Sequence, residues 1–297
     1  MIKMRSEVKN ITAMLIFGTI GIFVRNIDLS SKETALMRGI IGSLFLLGVL
    51  ICSKEKISFL EIKKNLPILF LSGIGIGLNW IFLFQAYKYT TVSTATLSYY
   101  SAPVIVTVLS PVILKERLSF VKFLCVLGAM TGMAFIAGNN GDTGEMVYNH
   151  TLGIIYGLSA AVFYAGVIIM NKFIKKLGGL ETTVTQLILA SLVLLPYVTA
   201  TDGFDFSRMT VNGYICLVVL GAVHTGFAYF LYFSSLKELK GQTIAVLSYI
   251  DPISAVMISS LFLGERMTAL QIIGGILILG STFISENTNL FRKIIKF

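Results

Sequence analysis

An acidic residue lies deep inside an apolar segment near the C-terminal end of the chain. Asp251 stands about nine residues into the segment 242–263, roughly 13 Å from its start if the segment is helical. An ionised carboxylate in the middle of a bilayer costs about 2.5 to 3.5 kcal/mol on insertion scales, so Asp251 must face protein or water. Two interpretations follow: a site for a substrate ammonium group or a proton, or a protonated acid hydrogen-bonded between helices.

Two basic residues lie within apolar segments in the same way. Arg38, near the start of the segment 33–52, can bind a substrate carboxylate through two hydrogen bonds. It can also extend outward to solvent or pair with Glu33. His224 is near the middle of the segment 211–233, where it can relay protons or be a neutral core residue bonded to a neighbouring helix.

Several aromatic and amide side chains lie at a similar depth. They are Asn79, Trp80, Tyr99, Tyr100, Tyr164, Tyr229 and Tyr249. Trp and Tyr normally collect at the two membrane interfaces, so a group at mid-depth is unusual. Rings gathered around an acid favour a ligand with an amine and an apolar side chain, because cation–π attraction adds to the charge. We expect some of these residues to touch the ligand and the others to pack in the core.

The composition shows what kind of chain carries these residues. Of the 297 residues, 55% are hydrophobic and 13% are charged, and the mean hydropathy is +0.83. A soluble protein has nearer a quarter of its residues charged. A soluble enzyme, a disordered chain and a nucleic-acid reader are therefore excluded, despite a net charge of +9. Cys52, Cys125 and Cys216 all lie in apolar segments, which predicts no disulfide framework, metal cluster or cofactor.

Ten apolar segments are long enough to cross a bilayer as helices, since about 20 residues span its roughly 30 Å core. They are 10–27, 33–52, 66–87, 91–114, 119–138, 151–171, 182–199, 211–233, 242–263 and 268–286. We therefore predict an all-α integral membrane protein with ten transmembrane helices. The first segment has no small-residue cleavage motif at its end, so we expect it to be a span and not a removed signal peptide.

The loops predict the orientation, because short cytoplasmic loops carry an excess of Lys and Arg. With the N-terminus inside, the inner segments hold 18 of the 24 basic residues and the outer segments hold 5; Arg38 lies within a span. Both termini are therefore predicted to be cytoplasmic. This distribution also explains the positive net charge without any nucleic-acid partner.

The chain contains an internal repeat. A shift of 149 residues aligns Lys88 with Lys237, Tyr100 with Tyr249, Pro103 with Pro252 and Glu116 with Glu265, without a gap from about 71 to 118. We divide the chain into two five-helix repeats, 1–140 and 141–297. Because five is odd, the second repeat enters the membrane inverted relative to the first, as in secondary transporters whose substrate sites lie where the repeats meet. We expect two inverted five-helix bundles around one central cavity.

Short motifs in both repeats are similar to those of a known family. The motif Leu36-Met37-Arg38-Gly39, the stretch 86–103 and the motif 115–119 resemble one EamA-like domain, and the stretches 236–252 and 264–268 resemble a second. Together they resemble the ten-span drug/metabolite transporter superfamily. This resemblance implies a bacterial inner-membrane permease, usually an exporter of amino acids or related metabolites. It also implies a structural role for Arg38, because arginine recurs there across different substrates.

The chain departs from the family pattern at two places. Phe17-Gly18 stands where the family often has Trp-Gly, and Gln186 occupies the repeat position that matches Arg38.

Prolines and small residues predict how the helices bend and pack. Pro252 frees the carbonyl of Ser248 from its helical bond and should kink its span, as should the repeat mate Pro103. Small residues four apart, such as Gly128 and Gly132, let helices approach closely. The pairs Glu116-Arg117 and Glu265-Arg266 stand at span ends, where we expect them to terminate helices.

These observations favour a secondary transporter that exports small amine-bearing metabolites, such as amino acids, by alternating access. We expect a monomer in the lipid bilayer, with a small-molecule substrate and protons as the coupling ion. The alternative substrate is an organic cation or a drug-like amine. An intramembrane enzyme is not favoured, since His150 and His224 are the only histidines and neither HExxH nor GxSxG occurs. A channel is not favoured either, because the sequence has no rings of like charge or filter motifs.

Overall fold

The computed structural model describes residues 5–52, 57–115, 119–137, 149–201, 204–207, 209–236, 239 and 247–286, and within these ranges it is helical without strands. The first repeat holds α1 (Ser6–Gly18), α2 (Ile20–Arg25), α3 (Ser31–Cys52), α4 (Phe59–Tyr89), α5 (Val92–Tyr99), α6 (Ala102–Ile113) and α7 (Phe120–Ala137). The second holds α8 (His150–Asn171), α9 (Gly179–Thr201), α10 (Val211–Val219), a π-helix (Leu220–Phe227), α11 (Ala228–Leu236), α12 (Ile250–Leu263) and α13 (Ala269–Glu286).

Each predicted span coincides with at least one apolar helix. Within the described ranges, seven helical stretches are long and apolar enough to cross a membrane: Ser6–Arg25, Ser31–Cys52, Phe59–Tyr89, Val92–Ile113, His150–Asn171, Gly179–Thr201 and Val211–Ser235. The helices Phe120–Ile136, Ile250–Leu263 and Ala269–Ser285 are apolar but shorter. The chain is therefore a multi-pass membrane protein.

The fourth and ninth spans are interrupted at matching positions. The fourth breaks at Tyr100 and Ser101, between α5 and α6, and the ninth breaks at Tyr249, just before α12. The breaks come shortly before Pro103 and Pro252, which lack the N–H needed for a helical hydrogen bond. The helices are thus interrupted close to the two prolines at which we predicted kinks.

The two repeats do not form separate five-helix bundles, as we had expected. The helix α4 packs against α8 and α9 of the other repeat, and the π-helix and α11 pack against α3 and α1. We call α4, α5, α6, α8 and α9 bundle A, and α1, α2, α10, the π-helix, α11 and α12 bundle B; α3 packs against α9 and α4 as well as against the π-helix and lies between the two bundles. Helices α7 and α13 pack on each other.

Small residues explain why helices of opposite repeats pair. A Cβ atom at Gly157 would meet Ser98 of α5, and one at Gly42 would meet Thr225 of the π-helix. Lipid gives helices little hydrophobic reason to associate, so such close backbone approach decides which helices pair.

The largest core cluster lies where the bundles meet. It includes the buried residues Leu36 of α3, Phe84 of α4, Leu187 of α9 and Leu220 of the π-helix. Apolar packing therefore surrounds the middle of the structure, where the polar residues of the next section must be satisfied by each other.

The contact between α7 and α13 provides a test of this packing. A Cβ atom at Gly132 would lie 2.5 Å from the Gly274 carbonyl oxygen, so Gly132→Ala should force the helices apart and destabilise the protein by about 1 to 3 kcal/mol. Thermal unfolding in detergent measures this loss. Gly280→Ala, on α13 with nothing within 4 Å of the added atom, is the matched control and should keep the midpoint. Equal midpoints for both variants would contradict the packing.

Candidate functional site

The acid Asp251 lies where the two interrupted spans face each other. It stands in the first turn of α12, and the hydroxyl of Tyr100, at the break between α5 and α6, donates a hydrogen bond to its Oδ2. Both side chains are half-buried. The N-terminus of a helix favours a negative charge, so the break supplies a place for this carboxylate inside the protein. The bond joins bundle A to bundle B.

The guanidinium of Arg38 is held in the core and does not extend to solvent. The residue is 2% exposed, and its Nε donates to Thr225 Oγ1 at 2.7 Å. Its Cζ lies 4.5 Å from the centre of the Trp80 ring and 5.6 Å from that of Phe84. Within the described part of the chain, Nε makes the one hydrogen bond of this guanidinium, so both Nη groups keep their donors.

Pairing of Arg38 with Glu33 is ruled out. The Glu33 carboxylate instead accepts from the backbone N–H groups of Ser30 at 2.8 Å and Asp205 at 3.0 Å. Arg38 also interacts electrostatically with Asp251, without a direct ion pair between them among the described residues.

His224 is a core residue bonded to a neighbouring span. It lies in the π-helix, its Nδ1 is 3.2 Å from the Val219 carbonyl oxygen, and its Nε2 is 2.8 Å from Thr19 Oγ1. The Thr19 hydroxyl donates to the Ile16 carbonyl at 2.7 Å, so its single proton is not available to the imidazole. Thr19 separates α1 from α2, and Phe23 packs edge-on against the imidazole. His224 thus links the π-helix to the first span.

The predicted aromatic residues fall into different places. Tyr99 contacts both Tyr100 and Tyr164, with ring centres 5.8 and 5.3 Å apart, so three of these rings form one group. Tyr164 is 39% exposed, so one side of this group is not covered by protein. Tyr229 packs edge-on against Phe17 and interacts electrostatically with both Asp251 and Arg38.

Two of the predicted site residues contact neighbouring helices. Asn79 is buried and donates to the carbonyl of Ala160 at 2.8 Å, which joins α4 to α8. Tyr249 packs edge-on against Phe283 of α13. Both contacts hold helices together, and neither brings the side chain to Asp251.

The sequence reasoning missed Tyr87 and Thr225. Tyr87 is buried and interacts electrostatically with Asp251 and Arg38. It shares a helix face with Trp80 and Phe84, at a spacing of four and then three residues, and this spacing could have identified it. Thr225 faces Arg38 because a π-helix adds a residue to the turn, which the sequence does not signal.

The arrangement brings charges and aromatic rings together. Asp251 belongs to bundle B, Arg38 lies on α3 between the bundles and stacks on Trp80, and Tyr164 belongs to bundle A. Such a site can bind an ammonium group and a carboxylate at two points and cover an apolar side chain with rings. Within the described ranges, no group of three His, Cys, Asp or Glu residues could hold a metal ion.

A multi-pass helical fold with a polar site at two interrupted spans defines a membrane transporter. The comparisons with known proteins agree. The model of the EamA-like transporter family matches residues 7–138 and 151–286. The chain belongs to this family, whose members and relatives are transporters and not enzymes.

Relatives from several organisms match along most of the chain. An uncharacterized transporter, YxxF, of Bacillus subtilis is 30% identical, covering 93% of this chain and 88% of its own. A transporter of Archaeoglobus fulgidus is 27% identical over 94% of this chain and 95% of its own. Protein PecM of Dickeya dadantii is 24% identical over 84% and 85%. One solved structure, 19% identical, has the same fold, with a TM-score of 0.64 over 95% of this chain and 98% of that one.

The bond of Asn79 separates structural from ligand-binding residues. Asn79→Ala leaves the buried Ala160 carbonyl without its donor, so we expect a loss of about 1 to 3 kcal/mol of stability with unchanged ligand affinity. Thermal unfolding and ligand titration measure the two effects. Asn212→Ala, an exposed asparagine, is the control and should change neither. If Asn79→Ala lowers the ligand affinity and keeps the stability, Asn79 contacts the ligand as the sequence analysis predicted.

Proposed function

We propose that this protein is a secondary transporter that exports small amine-bearing metabolites by alternating access. The substrate is an amino acid with an apolar or aromatic side chain, and one chain, a monomer, forms the whole pathway. In this proposal ten spans form two inverted repeats in the bacterial inner membrane, with both termini in the cytoplasm. The remaining three spans are then the apolar helices that are shorter than the usual length of a span, namely Phe120–Ile136, Ile250–Leu263 and Ala269–Ser285.

The observation that carries the proposal is the bond between Tyr100 and Asp251. It places an acid at two facing helix breaks, between bundles A and B. Transporters bind substrates at such discontinuous helices, because the broken backbone offers polar groups inside the membrane. A substrate ammonium group can take the place of the Tyr100 hydroxyl at Asp251, and Tyr99 and Tyr164 then lie beside its side chain.

The second charge favours an amino acid over an organic cation. A ligand with an amine and no carboxylate cannot pair with a buried guanidinium, and the positive charge of the guanidinium lowers the affinity of the site for such a ligand. Arg38 has unused Nη donors within the described residues and interacts electrostatically with Asp251. A zwitterion satisfies both groups, with its carboxylate on Arg38 and its ammonium on Asp251.

Three ligands with one side chain test this assignment. Phenylalanine carries both charges, phenethylamine only the amine, and 3-phenylpropionate only the acid. We expect phenylalanine to raise the unfolding temperature of the purified protein most, because a ligand that binds the folded state stabilises it. Asp251→Asn should abolish the shifts with phenylalanine and phenethylamine, whereas Arg38→Gln should abolish the preference for phenylalanine over phenethylamine.

The controls use a matched carboxylate and the alternative substrate class. Asp28→Asn changes an exposed acid and should keep all shifts. Stabilisation by choline-like quaternary amines that persists in Arg38→Gln would support the organic-cation alternative. No shift with any amine in the wild-type protein would overturn the proposal.

Protons are the proposed coupling ion, exchanged at Asp251. The ionised carboxylate binds an ammonium group and the protonated acid does not, so substrate and proton compete. Amine binding should therefore weaken as the pH falls through the titration of Asp251, and Asp251→Asn should show weak binding without this pH dependence. Binding titrations at a series of pH values measure this. If the Asp251→Asn variant transports at the wild-type rate with the wild-type pH dependence, Asp251 does not carry the coupling proton.

A further inference from the structure

A second buried acid lies far from Asp251, at the other end of the same helix. Glu265 was expected at a span end, where it would terminate a helix; it does follow α12, and it is only 5% exposed. Gly264, with φ at +65°, ends α12 in the left-handed conformation and turns the chain back toward the protein. This turn directs the carboxylate into the structure instead of into the loop.

The carboxylate of Glu265 binds the first turn of α5 in the opposite bundle. Its Oε1 accepts from the Val92 N–H at 2.8 Å, and its Oε2 accepts from the N–H and the hydroxyl of Ser93, both at 3.1 Å. The free N–H groups and the dipole of a helix N-terminus favour an anion there. A residue of the second repeat thus closes the end of a helix of the first.

A half-buried arginine completes this contact. Arg25, at the end of α2, places Nη1 at 3.2 Å from Glu265 Oε1 and donates from Nη2 to the Thr90 carbonyl at 2.7 Å. The Thr90 hydroxyl lies 2.7 Å from His150 Nδ1, at the start of α8. Ends of the first, fourth, sixth and ninth spans therefore meet here.

Polar contacts continue from this end toward the candidate site. The hydroxyls of Ser93 and Ser259 are 2.7 Å apart, halfway along α12, and Tyr100 bonds Asp251 at its other end. Helices α5 and α12 are thus joined from Glu265 to Asp251. The helix after the first break has other partners. It is α6, which packs against α7, α8 and α13, whereas α12 packs against α1, α2 and α5.

We propose that Glu265, Arg25 and the first turn of α5 form a latch that closes the outer end of the substrate pathway. The latch must break in each transport cycle, since it joins bundle A to bundle B. Its outer position rests on the orientation in the proposed function. Glu265 is a positioning residue: it holds α5 against α12 and does not touch the substrate.

Chemical labelling tests the latch without any ligand. In a Cys52→Ala, Cys125→Ala, Cys216→Ala background, Ser259→Cys places one thiol in the seam between α5 and α12, where Ser259 is 1% exposed. A membrane-impermeant maleimide is added outside intact cells. With Glu265→Gln, labelling should be about tenfold faster or more, because charge-assisted hydrogen bonds are lost.

A matched control separates the latch from general loosening. Glu33 is also a buried acid that accepts backbone N–H groups, but Ser30 and Asp205, which donate them, lie outside α5 and α12. Glu33→Gln should therefore leave the labelling rate unchanged. Arg25→Gln keeps the carboxylate and should raise the rate by a smaller factor, which provides a second variant if Glu265→Gln fails to fold.

Two results would overturn the proposal. Labelling of both Glu265→Gln and Arg25→Gln at the parent rate would show that the contact does not close the pathway. An equal increase in Glu33→Gln would show that any lost acid loosens this end. Ligand shifts of the unmodified protein test the proposed function separately, so failure of the latch and failure of the transporter assignment give different results.

Discussion

A chain inside a lipid bilayer must satisfy its own backbone hydrogen bonds, because the hydrocarbon offers no partner. Interrupted helices are therefore possible only where protein or water surrounds them. In this protein the fourth and ninth spans are both interrupted, at Tyr100 and at Tyr249, and the interruptions lie inside the helical assembly. Because an interrupted helix exposes backbone polar groups, the region around the two interruptions is polar. Asp251 stands directly after the second interruption.

The exchange of helices between the repeats determines how the site can move. If each repeat formed its own bundle, each wall of a site between the repeats would consist of helices that follow one another in the chain. Instead α4 packs against α8 and α9, and the π-helix packs against α1 and α3. Asp251 lies in bundle B, Trp80 lies in bundle A, and α3 with Arg38 packs between the two. In the proposed mechanism, rocking of one bundle against the other changes how the rings cover Asp251.

Much of this structure follows from simple sequence signals. Apolar length identifies the helices, and a proline shortly after a matched tyrosine identifies the two breaks. Asp251 was found because a charge in an apolar segment is costly. These signals are local, so they do not depend on which helices become neighbours.

The features that the sequence did not predict depend on long-range packing. The partner of Arg38 is Thr225, which faces it only because the π-helix shifts the register of the turn. The contact of His224 with Thr19 joins residues 205 positions apart, which no local pattern predicts. Glu265 looks like an ordinary end of a span, since its burial requires α5 from the other repeat to lie beneath it.

The two buried acids on either side of α12 are coupled by the helix between them. Asp251 and Glu265 are 14 residues apart in the sequence, about 21 Å along a helix, and each binds α5 through a different end. In the proposed mechanism, a ligand that replaces the Tyr100 hydroxyl at Asp251 removes one of the contacts that keep α5 and α12 together. The free energy needed to separate the two helices at Glu265 is then smaller, because fewer contacts remain. Substrate binding near Asp251 would in this way favour opening at the far end of the same helix, since a ligand shifts a conformational equilibrium only by binding one state more tightly.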